Sequence, residues 1–91
     1  MKEYIITVYT ENTVGVLNRI TNIFTRRKIN IESLTVGETH HKGISQMTII
    51  SFSDDATIAK VIKNIERIVE VIKASLTDVE TDILSKSNFN K

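Results

Sequence analysis

Apolar residues recur along the 91 residues with two alternating periods, and the order of those periods sets the expected elements. From Tyr4 to Thr10, the set Tyr4, Ile6 and Val8 alternates with Ile5, Thr7 and Tyr9. Both sets are largely apolar or β-favouring, which suits a central strand covered on both faces. From about Val14 to Arg27 the period lengthens. Val16, Leu17, Ile20, Ile23 and Phe24 fall at helical spacing and form one stripe to bury, with Asn18, Arg19, Asn22, Arg26 and Arg27 on or beside the polar side. Ile29 to Glu38 reads as a second strand, with Ile31, Ser33 and Thr35 on one face and Glu32, Leu34 and Val36 on the other. The polar stretch Thr39-His40-His41-Lys42-Gly43 then reverses the chain. Ile44 to Phe52 is a third strand, Met47 and Ile49 opposing Thr48, Ile50 and Phe52. Ser53-Asp54-Asp55 supplies a cap and negative charge for a second helix, whose stripe is Ile58, Val61, Ile62 and Ile65. The period changes again near Arg67, and Val69 to Leu76 reads as a fourth strand.

The order β-α-β-β-α-β, with right-handed crossovers, predicts an α+β ferredoxin-like sandwich: a four-stranded antiparallel sheet with both helices on one face. That domain is expected over residues 1–78, and residues 79–91 read as a polar C-terminal tail. The uncovered sheet face carries many apolar positions, and an apolar second strand at an edge is a place for another chain to pair. A homodimer is the expected consequence.

Composition narrows the function. Lysine and arginine number 12 against 11 acidic residues, a net charge of +1, which argues against nucleic acid or an anionic membrane as the main partner. The absence of cysteine removes disulfides, thiolate zinc sites and a cysteine nucleophile. The N-terminal residues lack a signal-peptide pattern, and no run approaches the ~20 apolar residues of a membrane span. A cytoplasmic domain is expected. A chain this short buries only about 60–65% of its unfolded surface, so a partner would add materially to its stability.

Thr10-Glu11-Asn12-Thr13-Val14-Gly15-Val16-Leu17-Asn18-Arg19-Ile20 joins the first strand to the first helix. Two readings of this turn stand from the residues alone. In one, Asn12 or Thr13 caps the helix and Gly15, in its first turn, packs against a neighbouring strand. In the other, the unsatisfied N–H groups and positive dipole end hold a carboxylate or phosphate, with Gly15 admitting it closely. Arg26-Arg27-Lys28 closes the helix, where cations complement the dipole; a solvated helix end is the expectation, a partner contact the alternative. Adjacent histidines in a loop give poor zinc geometry, so no metal is assigned to His40-His41. No catalytic residue is assigned either. The histidines share one loop, the strand serines Ser33, Ser45 and Ser51 have no evident base, and Asp54-Asp55 reads as capping. The aromatic and basic motif of an RNA-binding sheet is missing from the third strand, and so is the glycine-rich, arginine-bearing loop of an acylphosphatase.

Three segments together resemble the regulatory small subunit of acetolactate synthase (acetohydroxyacid synthase), an ACT-domain family. They are Tyr9 to Ile20; Phe24-Thr25-Arg26-Arg27-Lys28-Ile29-Asn30-Ile31-Glu32-Ser33-Leu34-Thr35-Val36; and Ser45-Gln46-Met47-Thr48-Ile49 followed by Val69-Glu70-Val71-Ile72-Lys73. The Asn-x-x-Gly start is shared by many ACT domains, whereas the Arg-Arg-x-x-Asn-Ile-Glu-Ser-Leu run is much more specific to this subunit. The resemblance implies a non-catalytic subunit that binds and activates a large catalytic subunit and confers feedback inhibition by branched-chain amino acids, valine above all. It implies no cofactor in this chain, the large subunit carrying thiamine diphosphate, magnesium and FAD. It places the effector between two ACT domains: Asn12, Gly15, Val16 and Leu17 of one chain hold the amino-acid backbone, and Asn30 and Ile31 of the other complete the pocket. Two departures accompany it. Val14 stands where Pro or Ser is common, and a second C-terminal domain of many members is absent, so a short-form or truncated subunit is expected. The alternative is a stand-alone ACT-domain amino-acid sensor serving another partner.

Overall fold

The computed structural model describes residues 1–78. The expected tail over 79–91 lies outside the described residues. Six elements follow in the expected order: β1 (Lys2–Glu11), α1 (Val16–Arg26), β2 (Ile31–Glu38), β3 (Ile44–Ser53), α2 (Asp55–Glu66) and β4 (Val71–Asp78). The strands form one antiparallel sheet in the order β2-β3-β1-β4, so β1 and β3 are central and β2 is an edge.

Alternation along β1 and β3 decides where the core sits. Tyr4, Ile6 and Val8 on β1, with Met47 and Ile49 on β3, are buried against Val16, Ile20, Ile23 and Phe24 of α1 and Ile58, Val61 and Ile65 of α2. The other face of β1, Ile5, Thr7 and Tyr9, is only half-buried, and Phe52 on β3 is exposed. β1 is thus covered by helices on one face rather than two, because both helices lie on the same side. The buried Tyr4 hydroxyl donates to the Asp55 carboxylate, which satisfies the one polar atom of that core ring and ties β1 to the start of α2.

Two bulges depart from the strict period of two. On β2 the register moves from Ile31↔Ser51 to Ser33↔Ile50, so Glu32 is an inserted residue. Ile31 therefore shares the helix-side face with Leu34 and Val36, not the face of Ser33 and Thr35 as the alternation predicts. On β4 the register shifts between Tyr9↔Lys73 and Thr10↔Val71, leaving Ile72 inserted and exposed.

The helix ends also differ from expectation. α1 starts at Val16, two residues later than the pattern suggests, and Gly15 is its N-cap with φ +92°. Val14 is apolar and reads as helical, but it lies outside the helix and is wholly exposed. At the far end Lys28 takes φ +58°, and the amides of Lys28 and Ile29 return to the carbonyls of Thr25 and Phe24 at 3.0 and 2.9 Å. A lysine thus occupies the left-handed position that usually belongs to glycine. The second and fourth strands begin two residues later than read, at Ile31 and Val71. Among the described residues no helix is long and apolar enough to cross a membrane.

Candidate functional site

The turn between β1 and α1 is held on two sides by backbone hydrogen bonds. The Asn12 amide donates to the Gly43 carbonyl in the β2–β3 hairpin at 2.7 Å, and the Glu11 amide donates to the Glu70 carbonyl before β4 at 2.9 Å. The Thr10 hydroxyl also reaches the Glu70 carbonyl, at 3.0 Å. Within the turn the Thr13 amide bonds the Glu11 carbonyl at 2.9 Å. Such anchoring presents the start of α1 in a set orientation.

Neither Asn12 nor Thr13 caps that start. The N-cap is Gly15, no side chain bonds the first amides, and the first turn contains no acidic residue. The Val16 amide is taken by Thr13 at 3.3 Å and the Arg19 amide by Gly15 at 3.1 Å, while those of Leu17 and Asn18 have no partner among the described residues. Two donors and the positive helix end consequently face outward without compensation. Nothing lies within 4 Å of where a Gly15 Cβ would stand, so the glycine does not pack against a strand. Its φ explains the residue, and the space above it is open.

The six residues expected to form a ligand site separate into distinct roles. Asn12 lies in the turn that leads into α1, and Gly15 is the N-cap of that helix. Val16 is buried in the core, so only its backbone is available there. Leu17, 38% exposed, presents both its amide and its side chain. Asn30 is exposed, and Ile31 is half-buried against the core. Within one chain the two groups lie far apart. Ile31 sits in the row of Ser51 and Tyr4, whereas Glu11 ends β1 in the row of Ile44. The intervening stretch of β1 is roughly 23 Å at strand rise.

One ion pair beside this turn escaped the sequence pattern. Arg19, one turn into α1, pairs with Glu70 at 2.8 Å across 51 residues of sequence. The Arg19 guanidinium holds the Glu70 carboxyl below its ordinary value, with the Glu70 backbone amide helping. The Glu70 side chain is 21% exposed, and its Oε1 is buried without a partner. Because the native state favours the ionised form, this contribution to stability is complete above the unfolded value and fades as pH falls through the folded one. We expect Glu70→Gln to narrow its stability gap to the native chain on going from neutral pH to below ~4, the ordinary glutamate range. Urea titrations across that interval check it; a gap that does not change with pH would dismiss the pair as a source of stability. Asp54, the N-cap of α2, is shifted the same way by the Thr57 hydroxyl it faces, although no full cap bond closes. At the opposite end of β2, Glu38, His40 and His41 with Tyr9 and Gln46 border an open cavity of ≈ 450 Å³. Among the described residues no three His, Cys, Asp or Glu side chains gather as a metal site.

With that geometry in place, comparison with known proteins decides the family. The family model described as the AHAS small subunit-like ACT domain matches residues 6–73. The chain belongs to that family. As an ACT domain it is 48% identical over 80 residues to the acetolactate synthase small subunit of Aquifex aeolicus, covering 87% of this chain and 42% of the relative. It is 45% identical over 73 residues to the probable acetolactate synthase small subunit of Archaeoglobus fulgidus, covering 80% and 46%. Among solved structures, the acetolactate synthase small subunit of Thermotoga maritima matches with a TM-score of 0.77 at 36% identity, over 86% of this ACT domain and 48% of that chain. The ACT domain of the Chlorobium tepidum GTP pyrophosphokinase shares the fold alone, with a TM-score of 0.70 at 16% identity. The chain spans about half the length of the curated relatives it matches.

Proposed function

We propose that this ACT domain is a non-catalytic regulatory element of acetolactate synthase. It associates with the large catalytic subunit, raises its activity, and binds a branched-chain amino acid, valine first, as a feedback inhibitor. Thiamine diphosphate, magnesium and FAD belong, in this reading, to the catalytic partner.

The observation that carries the effector site is the uncompensated start of α1 beneath open space at Gly15. An α-carboxylate suits the free amides of Leu17 and Asn18. The Asn12 side chain offers both a donor and an acceptor to an amino acid. Exposed Val14 and Leu17 supply apolar surface for an aliphatic side chain. Pairing of two copies through edge strand β2 supplies the other wall. If two β2 strands pair antiparallel about a two-fold axis, the start of one lies level with the end of the other. The turn at Asn12 to Gly15 is at the Glu38 end of the sheet, bonded to the hairpin through Gly43. Asn30 and Ile31 of a second copy would then approach it, though within one chain they are an entire strand away. A ligand touching both copies favours the geometry that permits both contacts, and only such differential binding shifts an equilibrium.

Reconstitution tests the reading. Adding this chain to the purified large subunit is expected to raise acetolactate formation, and valine is expected to reverse the gain. Alongside, thermal unfolding with valine, leucine or isoleucine, against lysine as control, reads effector binding directly. A ligand at about 100 times its Kd adds roughly 2.7 kcal/mol, a rise of about 10–20 °C for a domain of this size. No gain in activity together with a clear valine shift would replace the proposal by a stand-alone amino-acid sensor. Neither effect would overturn it altogether.

A further inference from the structure

The chain has four arginines, Arg19, Arg26, Arg27 and Arg67, and eight lysines. All four arginines border two adjoining cavities between α1 and α2, and none of the lysines among the described residues does. The larger cavity, ≈ 430 Å³, takes Arg19, Arg26 and Arg67 around Ile23 and Ile68. The smaller, ≈ 330 Å³, shares Ile23, Arg26 and Asn64 with it and adds Arg27. No acidic residue occurs anywhere from Asn12 to Ile31, so α1 turns an undiluted basic side to this groove although the whole chain is nearly neutral. Helix-dipole compensation does not explain the pattern. Any cation meets that need, and Lys28 at the same helix end lines neither cavity. Arginine is distinguished from lysine by its planar fork, which grips carboxylates and phosphates in pairs of hydrogen bonds.

The arginines are not equally committed. Arg19 is held by Glu70, and Arg27 donates to the Asn64 side chain at 2.8 Å. Arg26 and Arg67 are exposed and form no ion pair with any described residue. Spacing indicates what they would receive. Arg19 and Arg26 stand two turns apart on α1, about 10 Å along the axis, with Ile23 between them. Cations separated this way suit several carboxylates strung along a chain and interleaved with apolar side chains, rather than one compact phosphate. The backbone agrees, since Arg27 and Arg67 are C-caps, and the helix ends beside them present carbonyls rather than amides.

We propose that the α1–α2 groove is a docking surface for an acidic, amphipathic segment of a partner protein. Arg26 and Arg67 grip its carboxylates, and half-buried Ile68, beside the buried Ile23, meets an apolar side chain. In naming the catalytic large subunit as that partner, the inference rests on the function proposed above. It also sets the docked segment and the effector turn on one helix, because the Arg19 amide bonds the Gly15 carbonyl and its guanidinium bonds Glu70.

The experiment measures association of the 91-residue chain with the purified large subunit, at low and at raised salt. Native chain is compared with the pair Arg26→Glu and Arg67→Glu, and with the pair Arg26→Lys and Arg67→Lys. The glutamate pair is expected to weaken binding by about tenfold or more and to flatten its salt dependence. The lysine pair should fall between, keeping charge but losing the fork. Both are surface changes, and unaltered melting temperatures establish that they fold. Equal affinity for native and glutamate chains would overturn the groove as the docking surface while leaving the regulatory reading intact. Failure of the native chain to associate at all would overturn that reading, and this surface with it. Tripolyphosphate is the third probe. If it raises the native melting temperature, loses that effect in the glutamate pair, and affinity for the large subunit is unchanged, the groove is a small-anion site and the proposal fails.

Discussion

Phe24→Ala is expected to remove about half of the chain's stability. Phe24 is the largest of the fully buried side chains, 1% exposed, and it stands on α1 where that helix meets the core shared with Ile6, Ile49 and Ile58. Truncating a buried phenylalanine to alanine costs about 3–5 kcal/mol, part transfer and part residual cavity. A domain of this size has roughly 5–10 kcal/mol in total. The urea midpoint of Phe24→Ala should therefore fall to about half that of the native chain, with the slope little changed. Phe24→Leu, which refills most of the space, should lose only about 1.5 kcal/mol. A deficit below about 1 kcal/mol for the alanine variant would contradict the burial described.

The second large effect concerns Gly15. At φ +92° an ordinary side chain is strained, but asparagine and aspartate tolerate the left-handed region better than others. Gly15→Asp and Gly15→Asn should accordingly both fold, each destabilised by about 1 kcal/mol. They diverge in charge. Aspartate sets a carboxylate where an effector carboxylate would seek the Leu17 and Asn18 amides; asparagine is close in size and neutral. With the native chain stabilised by about 2.7 kcal/mol at a hundredfold excess of valine, Gly15→Asp should show essentially none of that gain and Gly15→Asn only part of its loss. In the reconstituted enzyme the aspartate variant should abolish valine inhibition while activation persists. Full valine inhibition by Gly15→Asp would remove the start of α1 from the effector site.

Much of this architecture is legible in the chain because burial on one side of a sheet leaves a strong period. Tyr4, Ile6 and Val8, or Val16, Ile20, Ile23 and Phe24, announce their element and the face they bury. What the period does not report is an inserted residue. Glu32 and Ile72 shift the face of their neighbours through hydrogen-bond register, so Ile31 reads on the wrong side. Apolar character likewise misleads at Val14, which extends the helical pattern across a position the backbone excludes through the conformation of Gly15. At the candidate site Gly15 and Asn12 are visible as a turn, and Asn30 as a strand start. Arg19 with Glu70, and Arg26 with Arg67, are not, since each pair is brought together only by the packing of α1 against the end of α2.

The strand order also has a consequence for synthesis. β1 emerges first yet lies at the centre of the sheet, Lys2 paired with Ser53 on one side and Tyr4 with Asp78 on the other. Its second neighbour cannot arrive until almost the whole described chain has left the ribosome. Until then this central strand keeps an open edge, and its contacts are of high sequence separation, which slows folding. A nascent chain stalled before residue 71 would hold β1 bare along the edge that β4 closes, a ready acceptor for a strand from another chain.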